Sequence, residues 1–515
     1  VHKAVIALGS NLGDKFHNIE YALRLLEACA TLDLELEVSE WTMAVVDTSF
    51  MYESAPMYIT EQPSFINCAC IVETDLKPTA LLRVLKQIEE TVGRVPSVRN
   101  GPRAVDLDIV FYGDAVIDTR PPEDRASLDN LQGQMVVPHP RLHERDFVLR
   151  PVADMLPDYV HPAYCKSIKQ MLSSLASTST EPPMKRHSVD PVPDTLTAWT
   201  YTPAKPGSDA MVMATLNVTP DSFSDGAQHN QLSDALNYVN ESISAGCNII
   251  DIGGYSTRPG AAFVSPEEET RRVAPVVQAI RANDGSSKDI PISVDTFRAD
   301  VAEAAIKAGA NCINDVYAFM GADAYPFHDD HRRVKSDAVL VDMKAIARRY
   351  AVPVVLMHSR GEASQNKDYA TYEYAGKGAA VVEGVRVELG DIVERVVRGK
   401  GGLRRWLVIV DPGVGFSKTV EGNLALLRDG AQVVADCQHR NPLAGYPVLV
   451  GTSRKSFLGT ILQGGADGRK TEASDRDWAT AAAVTCAVQQ GALLIRIHDV
   501  KAMGDVVTVA KALCS

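Results

Sequence analysis

Two carboxylates, Asp106 and Asp108, lie two positions apart in an apolar run whose spacing predicts a β-strand over residues 105–112. Side chains alternate between the two faces of a strand, so both carboxylates point to the same side. Two hard oxygen donors at this spacing can bind Mg²⁺ ions. Such a pair on its own is more often a solvated surface, so its chemistry depends on the residues around it.

Basic residues stand on both sides of this pair, although acidic residues outnumber basic ones across residues 1–160. Both groups suit the recognition of phosphate oxygens. The first group is Arg94, Arg99 and Arg103, and the second is His139, Arg141 and Arg145. Carboxylates for a metal and arginines for phosphates together predict phosphoryl transfer from a nucleotide, without the glycine-rich loop of P-loop enzymes.

A second set of polar residues follows apolar runs in the C-terminal part of the chain. The donors suited to a phosphate are Lys455, Arg496 and His498. Asn217 offers an amide donor or an oxygen ligand for Mg²⁺. The carboxylates of Asp295 and Asp411 suit a heterocycle that carries N–H donors. This set predicts a site for a phosphorylated heterocycle.

Eight apolar segments position these residues, and each is predicted as a β-strand. They are Met211–Leu216, Asn248–Ile252, Pro291–Val294, Asn311–Ile313, Pro353–Met357, Leu407–Val410, Pro447–Val450 and Ala492–Ile497. Helical patterns separate most of them, for example at residues 266–282 and 299–308. Eight strand–helix repeats over residues 210–515 predict a parallel TIM (β/α)8 barrel, with a doubly wound open sheet as the alternative.

Polar residues or glycines end every one of these predicted strands. A single Asp after a strand is usually structural, but eight such endings converge on one mouth in a barrel, where active sites lie. Two loops rich in Gly, Pro and Ser, Thr219–Gly226 and Ser256–Ala261, are suited to fold over that mouth.

The N-terminal region, residues 1–173, mixes strand and helix patterns instead of alternating them. Strands are predicted at Val5–Leu8, 65–73 and 105–112, and helices at 17–30 and 78–91. This pattern predicts an α+β domain with a small antiparallel sheet. Residues 174–209 are rich in Ser, Thr and Pro and are predicted as a linker. Residues 321–340 are predicted as an insertion in a loop or around a helix.

Composition limits the classes of function. The 515 residues carry a formal net charge of −13 at pH 7, which argues against broad binding of nucleic acids or anionic membranes. The nine cysteines form no CxxC pair, so we expect buried thiols in a reducing compartment inside the cell. No apolar run reaches the length of a membrane span. The chain begins at Val1 inside a strand-like run, so we expect a fragment of a longer polypeptide.

Ordered motifs in residues 210–515 resemble those of dihydropteroate synthase. They are NVTPDSFSDG, DIGGYSTRPGA, SVDT, IND, LMH, DPGVGFSK, GTSRKSFLG and IRIHDVK. The resemblance implies a TIM-barrel enzyme that joins p-aminobenzoate to a dihydropterin bearing a CH₂–diphosphate, with release of diphosphate. One departure from the bacterial pattern is the segment Ser359–Arg360–Gly361 after His358, where a more apolar run is usual.

The resemblance also implies residue roles in the barrel. The pterin would be held by Asp295, Asn314 and Asp411, with Lys455 near its exocyclic oxygen and Met357 against its face. Met357 suits the protein core equally well. Diphosphate and Mg²⁺ would be held by Asn217, Arg496 and His498. The p-aminobenzoate subsite would be shaped by Phe223, Thr257, Arg258, Pro259 and Ser453.

Three further motifs, over about residues 3–160, resemble hydroxymethyldihydropterin pyrophosphokinase: ALGSNLGD, GPRAVDLDI and VPHPRLHERDFVL. The resemblance implies a ferredoxin-like α+β kinase domain with ATP as co-substrate and Mg²⁺ bound by Asp106 and Asp108. The triphosphate would be bound by Arg94, Arg103, His139 and Arg145. The pterin pocket would be lined by Ser54, Ala55, Met57, Phe65, Asn67 and Phe147. The two phenyl rings would sandwich the pterin, or they are plain core residues.

The two resemblances support each other, because the product of the kinase is the substrate of the synthase. The pair on one chain resembles the C-terminal part of the fungal trifunctional folic acid synthesis proteins, which implies an aldolase domain fused upstream. Hydroxymethyldihydropterin, ATP and p-aminobenzoate are the expected small-molecule partners, and we expect a homodimer through the barrel and a mitochondrial or cytoplasmic location. Two other hypotheses are an inert pterin-binding scaffold, which predicts loss of metal or phosphate residues, and a pterin-dependent methyltransferase, which needs neither the GTSRKS segment nor a kinase domain.

Overall fold

The computed structural model describes residues 1–514 except 29–40, 58, 96–100, 127–133, 178–183, 191–196, 202–206, 219–227, 257–260, 284, 328, 377, 437–439 and 466–467. The chain divides into two compact units. The first comprises Val1–Ser188, Leu196–Thr200 and Val397–Trp406, and the second comprises Val189–Thr195, Tyr201–Val396 and Leu407–Ser515. Among the described residues, no helix combines the length and the apolar character needed to cross a membrane.

The first unit contains four helices and a mainly antiparallel set of strands in its described part. In chain order these are β1 (His2–Ser10), α1 (Lys15–Glu27), β2 (Met43–Thr48), β3 (Met51–Ser54), β4 (Phe65–Thr74), α2 (Pro78–Val92), β5 (Asp106–Tyr112), β6 (Ile117–Asp118), β7 (Val136–Val137), α3 (Asp146–Met155), α4 (Ile168–Ala176), β8 (Lys185–Asp190) and β9 (Thr197–Tyr201). The main sheet has the order β5–β1–β4–β3–β8–β9, with β2 also paired to β4. The predicted α+β organisation is confirmed.

Local sequence explains the bounds of the elements that frame the first site. Helix α1 begins after Asp14, whose side chain accepts a hydrogen bond from His17 N. Helix α2 begins with Pro78 in its first turn and ends at Gly93, whose φ of 113° only glycine adopts readily. Strand β4 is buried along most of its length, at the centre of the sheet. One face of the sheet packs on α3 and α4 through a common apolar cluster.

The segment predicted as a linker is more ordered than its composition indicates. Helix α4 extends to Ala176, and residues 174–209 include both β8 and β9. Strand β8 pairs with β3, so that Arg186 lies opposite Tyr52. The Arg186 guanidinium also lies over the Phe50 ring at 4.7 Å. Because the edge of β3 offers unpaired backbone groups, a polar segment can add to the sheet without an apolar pattern of its own.

The second unit alternates strands and helices. Its elements are β10 (Met211–Asn217), α5 (Gln228–Ser244), β11 (Ile249–Gly253), α6 (Pro266–Ala282), β12 (Ile292–Asp295), α7 (Ala299–Ala308), β13 (Cys312–Asp315), α8 (Asp330–Tyr350), β14 (Val354–Met357), α9 (Ala380–Val397), β15 (Val408–Asp411), α10 (Val420–Arg428), β16 (Leu449–Gly451), α11 (Ser456–Gln463), α12 (Asp477–Gln489), β17 (Leu494–Ile497) and α13 (Val500–Cys514). The eight predicted strands are confirmed within two residues, and α6 and α7 have the predicted bounds. The predicted insertion, residues 321–340, contains the first half of α8.

The eight strands of this unit form one parallel sheet in the order β15–β14–β13–β12–β11–β10–β17–β16. A parallel bridge between Val410 and Val448 joins the two ends of that order and closes the sheet into a barrel. The open-sheet alternative is therefore wrong. Closure brings the polar carboxyl ends of the strands to one mouth, as the predicted active site requires.

Candidate active sites

A cavity in the first unit gathers most of the residues predicted for its pterin, metal and phosphate groups. Predicted residues in its lining are Ser54, Ala55, Met57, Phe65, Asn67, Phe147, Arg103, Asp106, Asp108 and Arg145. The Asn67 side chain donates to Ser54 Oγ at 2.8 Å, which fixes the amide at the cavity wall. The mixture of two phenyl rings, an amide, carboxylates and arginines suits a flat polar heterocycle next to a phosphate chain.

Asp106 lies between two of the predicted arginines. Arg94 Nη1 donates to Asp106 Oδ1 at 2.7 Å, and Arg103 Nη1 donates to Asp106 Oδ2 at 2.9 Å. Burial alone would raise the pKa of Asp106, but the charges of Arg103 and Arg94 outweigh it and lower that pKa. The carboxylate is therefore ionised at neutral pH, as a metal ligand must be.

Two further residues that the sequence analysis missed hold this cluster in place. Glu89, buried in α2, accepts from Leu107 N at 2.7 Å and pairs with Arg94 at 2.5 Å. Asn11 accepts from Arg103 N at 2.9 Å and is itself buried. Asn11 belongs to the motif ALGSNLGD, which is the only sequence signal that points to it. Glu89 sits in an ordinary helical pattern and gives no such signal.

The remaining phosphate residues lie beside the two carboxylates. Burial lowers the pKa of His139, while the nearby charge of Asp108 opposes that shift and the charge of Arg145 adds to it. His139 Nδ1 accepts from Arg141 N at 3.2 Å, so its ring orientation is set by the backbone. The Arg145 guanidinium lies 5.7 Å from the centre of the Phe147 ring, which links the phosphate residues to the pterin wall.

The acidic pair in this cavity suits Mg²⁺ better than a metal that needs a complete protein cage. Within the described ranges, no group of three or more His, Cys, Asp or Glu side chains is placed to hold an ion by itself. Asp106 and Asp108 are two hard oxygen donors on one face of β5, both half-buried at the cavity wall. Mg²⁺ typically takes one or two carboxylates and completes its shell with waters and substrate phosphates, so the residues fit this ion.

The mouth of the barrel is organised around Asp251, in β11, which the sequence analysis gave no site role. Arg496 Nε donates to Asp251 Oδ2 at 2.6 Å, and Arg496 Nη2 donates to Asp295 Oδ2 at 2.8 Å. Asn314 Nδ2 also donates to Asp251 Oδ2, at 3.1 Å. Arg496 is predicted as a phosphate ligand, and here its guanidinium is engaged with two carboxylates.

Two predicted pterin residues of the barrel are acids, with Asp411 buried and Asp295 partly buried. Burial raises the pKa of Asp295 to about 7, with Arg496 opposing the shift and Asp251 adding to it. Burial raises the pKa of Asp411 to about 6, opposed by the hydrogen bond from Gly413 N and by the charge of Lys455. Met357 lies opposite Asp411 in the parallel pair of β14 and β15 and is buried. As carboxylates, both side chains accept hydrogen bonds from ring N–H groups with both oxygens, whereas a protonated carboxyl presents an O–H donor in place of one acceptor.

The other predicted residues lie at neighbouring strand ends. Lys455 Nζ lies over the Phe416 ring at 4.2 Å. His498 Nδ1 lies 2.9 Å from Ser453 Oγ, which brings a predicted diphosphate residue beside a predicted p-aminobenzoate residue. A Cβ on Gly253 would lie 3.7 Å from Asn217 Oδ1, so Asn217 borders the same mouth. Phe223, Thr257, Arg258, Pro259 and Arg99, together with most of the two loops, lie outside the described residues.

Comparison with known families matches both units. Residues 213–498 match the family described as pterin binding enzyme, which is more than half of the chain. Residues 5–157 match 7,8-dihydro-6-hydroxymethylpterin-pyrophosphokinase. The kinase segment therefore precedes the pterin-binding segment on one chain.

Curated relatives match along nearly the whole chain. A mitochondrial folate synthesis bifunctional protein of Arabidopsis thaliana is 36% identical, covering 99% of this chain and 83% of its own length. The folic acid synthesis protein fol1 of Schizosaccharomyces pombe is also 36% identical, and the chain spans 59% of that relative's length. These matches support a bifunctional chain. They do not support the narrower expectation that the chain is the C-terminal part of a trifunctional protein.

A solved structure supports the fold of the whole chain. The crystal structure of Plasmodium falciparum HPPK-DHPS wild type with pteroate has a TM-score of 0.73, covering 99% of this chain and 97% of that chain at 18% identity. At that identity the likeness concerns the fold alone. Taken with the family matches and the relatives, it leads to one assignment: the chain belongs to the family of folate synthesis bifunctional proteins, in which a hydroxymethyldihydropterin pyrophosphokinase precedes a dihydropteroate synthase.

Proposed function

We propose that this chain catalyses two consecutive reactions of folate biosynthesis. The first is the ATP-dependent pyrophosphorylation of 6-hydroxymethyl-7,8-dihydropterin, which yields AMP. The second is the condensation of the pterin diphosphate with p-aminobenzoate, which yields 7,8-dihydropteroate and diphosphate. The observation that carries the proposal is the cavity of the first unit, because it unites pterin-type and phosphate-type residues that lie up to about 90 positions apart in the sequence.

In the kinase site, catalysis depends mainly on the positioning of the two substrates. The hydroxymethyl oxygen attacks the β-phosphorus of ATP, and AMP leaves with the electron pair of the broken P–O bond. Phe65 and Phe147 would flank the pterin, while Asn67 holds its edge. Mg²⁺, held by Asp106 and Asp108, would neutralise charge on the phosphates. Arg94 and Arg103, which pair with Asp106, would then turn to the phosphate oxygens.

In the synthase site, the protein stabilises a leaving anion. The C–O bond to diphosphate breaks, the pterin delocalises positive charge at its methylene, and the aminobenzoate nitrogen forms the new C–N bond. Asp295, Asn314 and Asp411 would hold the pterin, and Lys455 its exocyclic oxygen. Arg496, His498 and Asn217 would receive diphosphate, with Mg²⁺ beside it. Little general-base catalysis is needed, because the reaction mainly requires charge stabilisation.

Several narrower features belong to the same proposal. We propose a ferredoxin-like fold for the kinase unit, domain limits near 1–173 and 210–515, and a homodimer through the barrel. The mitochondrial names of plant relatives support a mitochondrial location, with the cytoplasm as the other expected reducing compartment. An upstream aldolase domain stays a prediction. Sulfonamides are expected to compete with p-aminobenzoate, and non-competitive inhibition would count against the subsite named above.

A coupled assay tests the proposal directly. The purified chain receives hydroxymethyldihydropterin, ATP, Mg²⁺ and p-aminobenzoate, and AMP and dihydropteroate are quantified. Both products are expected. Absence of AMP would remove the kinase assignment, and AMP without dihydropteroate would remove the synthase assignment. An inert scaffold would form neither product, and methyl transfer in place of dihydropteroate would favour the methyltransferase hypothesis.

The synthase reaction is expected to depend on pH through Asp411. Because its pKa is raised to about 6, the carboxyl is ionised above that pH and protonated below it. Because Asp295 is protonated below about pH 7 and Asp411 below about pH 6, the kcat/KM for pterin diphosphate should fall about tenfold per pH unit between 7 and 6 and about a hundredfold per unit below 6. Asp411→Asn should remove the Asp411 limb and leave only the tenfold fall per unit from Asp295. An unchanged profile would place Asp411 outside the pterin site.

A further inference from the structure

A buried ionic network lies behind the barrel mouth and takes no part in the chemistry described above. Its four members are His358, Arg360, Glu388 and Lys418, each less than a tenth exposed. Arg360 forms two hydrogen bonds with Glu388, at 3.0 Å from Nε and 2.5 Å from Nη2. His358 Nε2 lies 2.9 Å from Glu388 Oε2, and Lys418 Nζ lies 3.1 Å from His358 Nδ1. Tyr372 adds a hydrogen bond to the same carboxylate.

The protons of this network can be assigned from its partners. Burial would raise the pKa of Glu388, but the hydrogen bonds from His358 and Arg360 outweigh it and lower that pKa to about 2. Glu388 is therefore an acceptor, so His358 Nε2 carries the proton of a neutral ring. His358 Nδ1 then accepts, and Lys418 must donate to it. The charges of Arg360 and Glu388 cancel, which leaves the Lys418 ammonium without a counter-charge inside the network.

The carboxylate that faces Lys418 from outside the network is Asp411. His358 N donates to Asp411 O at 2.8 Å, and Gly413 N donates to Asp411 Oδ1 at 2.7 Å. A Cβ on Gly413 would lie 2.0 Å from His358 O and 3.2 Å from Lys418 Nζ, so the turn after Asp411 packs against the His358 carbonyl and the Lys418 ammonium. Lys418 Nζ also donates to Phe416 O, and the ring of Phe416 faces Lys455. His358 and Lys418 thus contact the backbone at Asp411 and in the turn that follows it.

We propose that Lys418 is a positioning residue of the synthase, which fixes the Asp411 turn through His358 and keeps the Asp411 carboxylate ionised to receive the pterin. The inference rests on the proposed synthase function. Burial lowers the pKa of Lys418 to about 7, while Asp411 and Glu388 oppose that shift and Arg360 and Lys455 add to it. The charges of Lys455 and Arg496 also lower the pKa of Asp411. Near neutral pH, the Lys418 ammonium therefore stabilises the ionised form of Asp411, and the Asp411 carboxylate stabilises the charged form of Lys418.

Two substitutions separate the charge of Lys418 from its hydrogen bond. Lys418→Gln keeps a donor for His358 and removes the charge, whereas Lys418→Met removes both. Lys307→Met, at an exposed lysine of α7, is the matched control. Each full-length variant is assayed with preformed pterin diphosphate and p-aminobenzoate over pH 5.5–8.5. Circular dichroism and thermal unfolding report whether the barrel of each variant is folded, and the kinase rate of the same chain reports whether the first unit is unaffected.

Without the lysine charge, the Asp411 limb of kcat/KM for pterin diphosphate should move up by about one pH unit in Lys418→Gln, while the Asp295 limb stays in place. Lys418→Met should show the same move and, in addition, a KM for pterin diphosphate raised about tenfold at pH 8. The KM for p-aminobenzoate and the Lys307→Met profile should stay as in the parent chain. If the Asp411 limb does not move in folded Lys418→Gln, the proposal is overturned. If Lys418→Met does not fold, the result for Lys418→Gln alone tests the proposal. Failure of the parent chain to form dihydropteroate would instead overturn the proposed function.

Discussion

Asp106→Asn is expected to abolish AMP release while the same chain still condenses preformed pterin diphosphate with p-aminobenzoate. The substitution preserves shape but removes the negative charge that Arg94 and Arg103 both contact. A neutral amide binds Mg²⁺ poorly, and the two guanidiniums lose the partner that orients them. We expect the kinase rate to fall by about 10³-fold or more. The measurement is AMP formation from ATP and hydroxymethyldihydropterin.

Asp158→Asn is a suitable control, because it removes an exposed carboxylate of the same unit. Its kinase rate should equal that of the parent chain. If Asp106→Asn also lost synthase activity, the two units would not act independently. If Asp106→Asn still released AMP at the parental rate, Asp106 would not be a metal ligand of the kinase.

The two sites share one electrostatic arrangement. In each, an arginine predicted for phosphate is paired with strand-end carboxylates: Arg94 and Arg103 with Asp106, and Arg496 with Asp251 and Asp295. Such pairs hold a long side chain in one orientation that an incoming anion can exploit. A phosphate can then replace a carboxylate as the partner of the arginine. Part of the side-chain conformational entropy of the arginine is therefore lost on folding, before the phosphate binds.

Much of this fold was predictable because its signals are local. Eight apolar runs identify the barrel strands, and a proline or N-cap serine at one end sets the bounds of helices such as Pro266–Ala282. Strands β8 and β9 were not predicted, because they depend on the open edge of β3 and not on their own pattern. Local sequence describes what a segment prefers, whereas sheet addition depends on a partner elsewhere in the chain.

The same distinction between local signals and tertiary contacts applies to the residues of the two sites. Residues in motifs, such as Asp106 and Asn67, were predicted and line the cavity. Glu89 and Asp251 were missed as site residues because their roles depend on contacts with residues that are distant in the sequence. Glu89 accepts from Leu107 N of β5, 18 positions further along the chain, and Asp251 meets Arg496 at the barrel mouth. Those contacts form only when the chain adopts its tertiary structure.

Arg496→Met is expected to remove synthase activity and to destabilise the barrel. Asp251 is fully buried, and its Oδ2 accepts from Arg496 and Asn314, so loss of the guanidinium leaves most of a buried charge uncompensated. Removing one partner of such a pair typically costs about 3–5 kcal/mol in the free energy of unfolding. Asp295 loses the charge that opposes its raised pKa, so at pH 7 it should be protonated and present an O–H donor where the pterin offers an N–H donor. Thermal unfolding and the dihydropteroate assay measure the two effects, with Arg428→Met as an exposed control.

The double variant Arg496→Met/Asp251→Asn separates stability from function. The neutral amide removes the uncompensated charge, so most of the lost stability should return. Synthase activity should stay about 10²-fold or more below the parent, since nothing replaces the cation that meets the leaving diphosphate. Recovery of both would mean that Arg496 acts only by pairing with Asp251. Recovery of neither would mean that the barrel mouth needs the guanidinium for packing, because the charge balance has then been restored without effect.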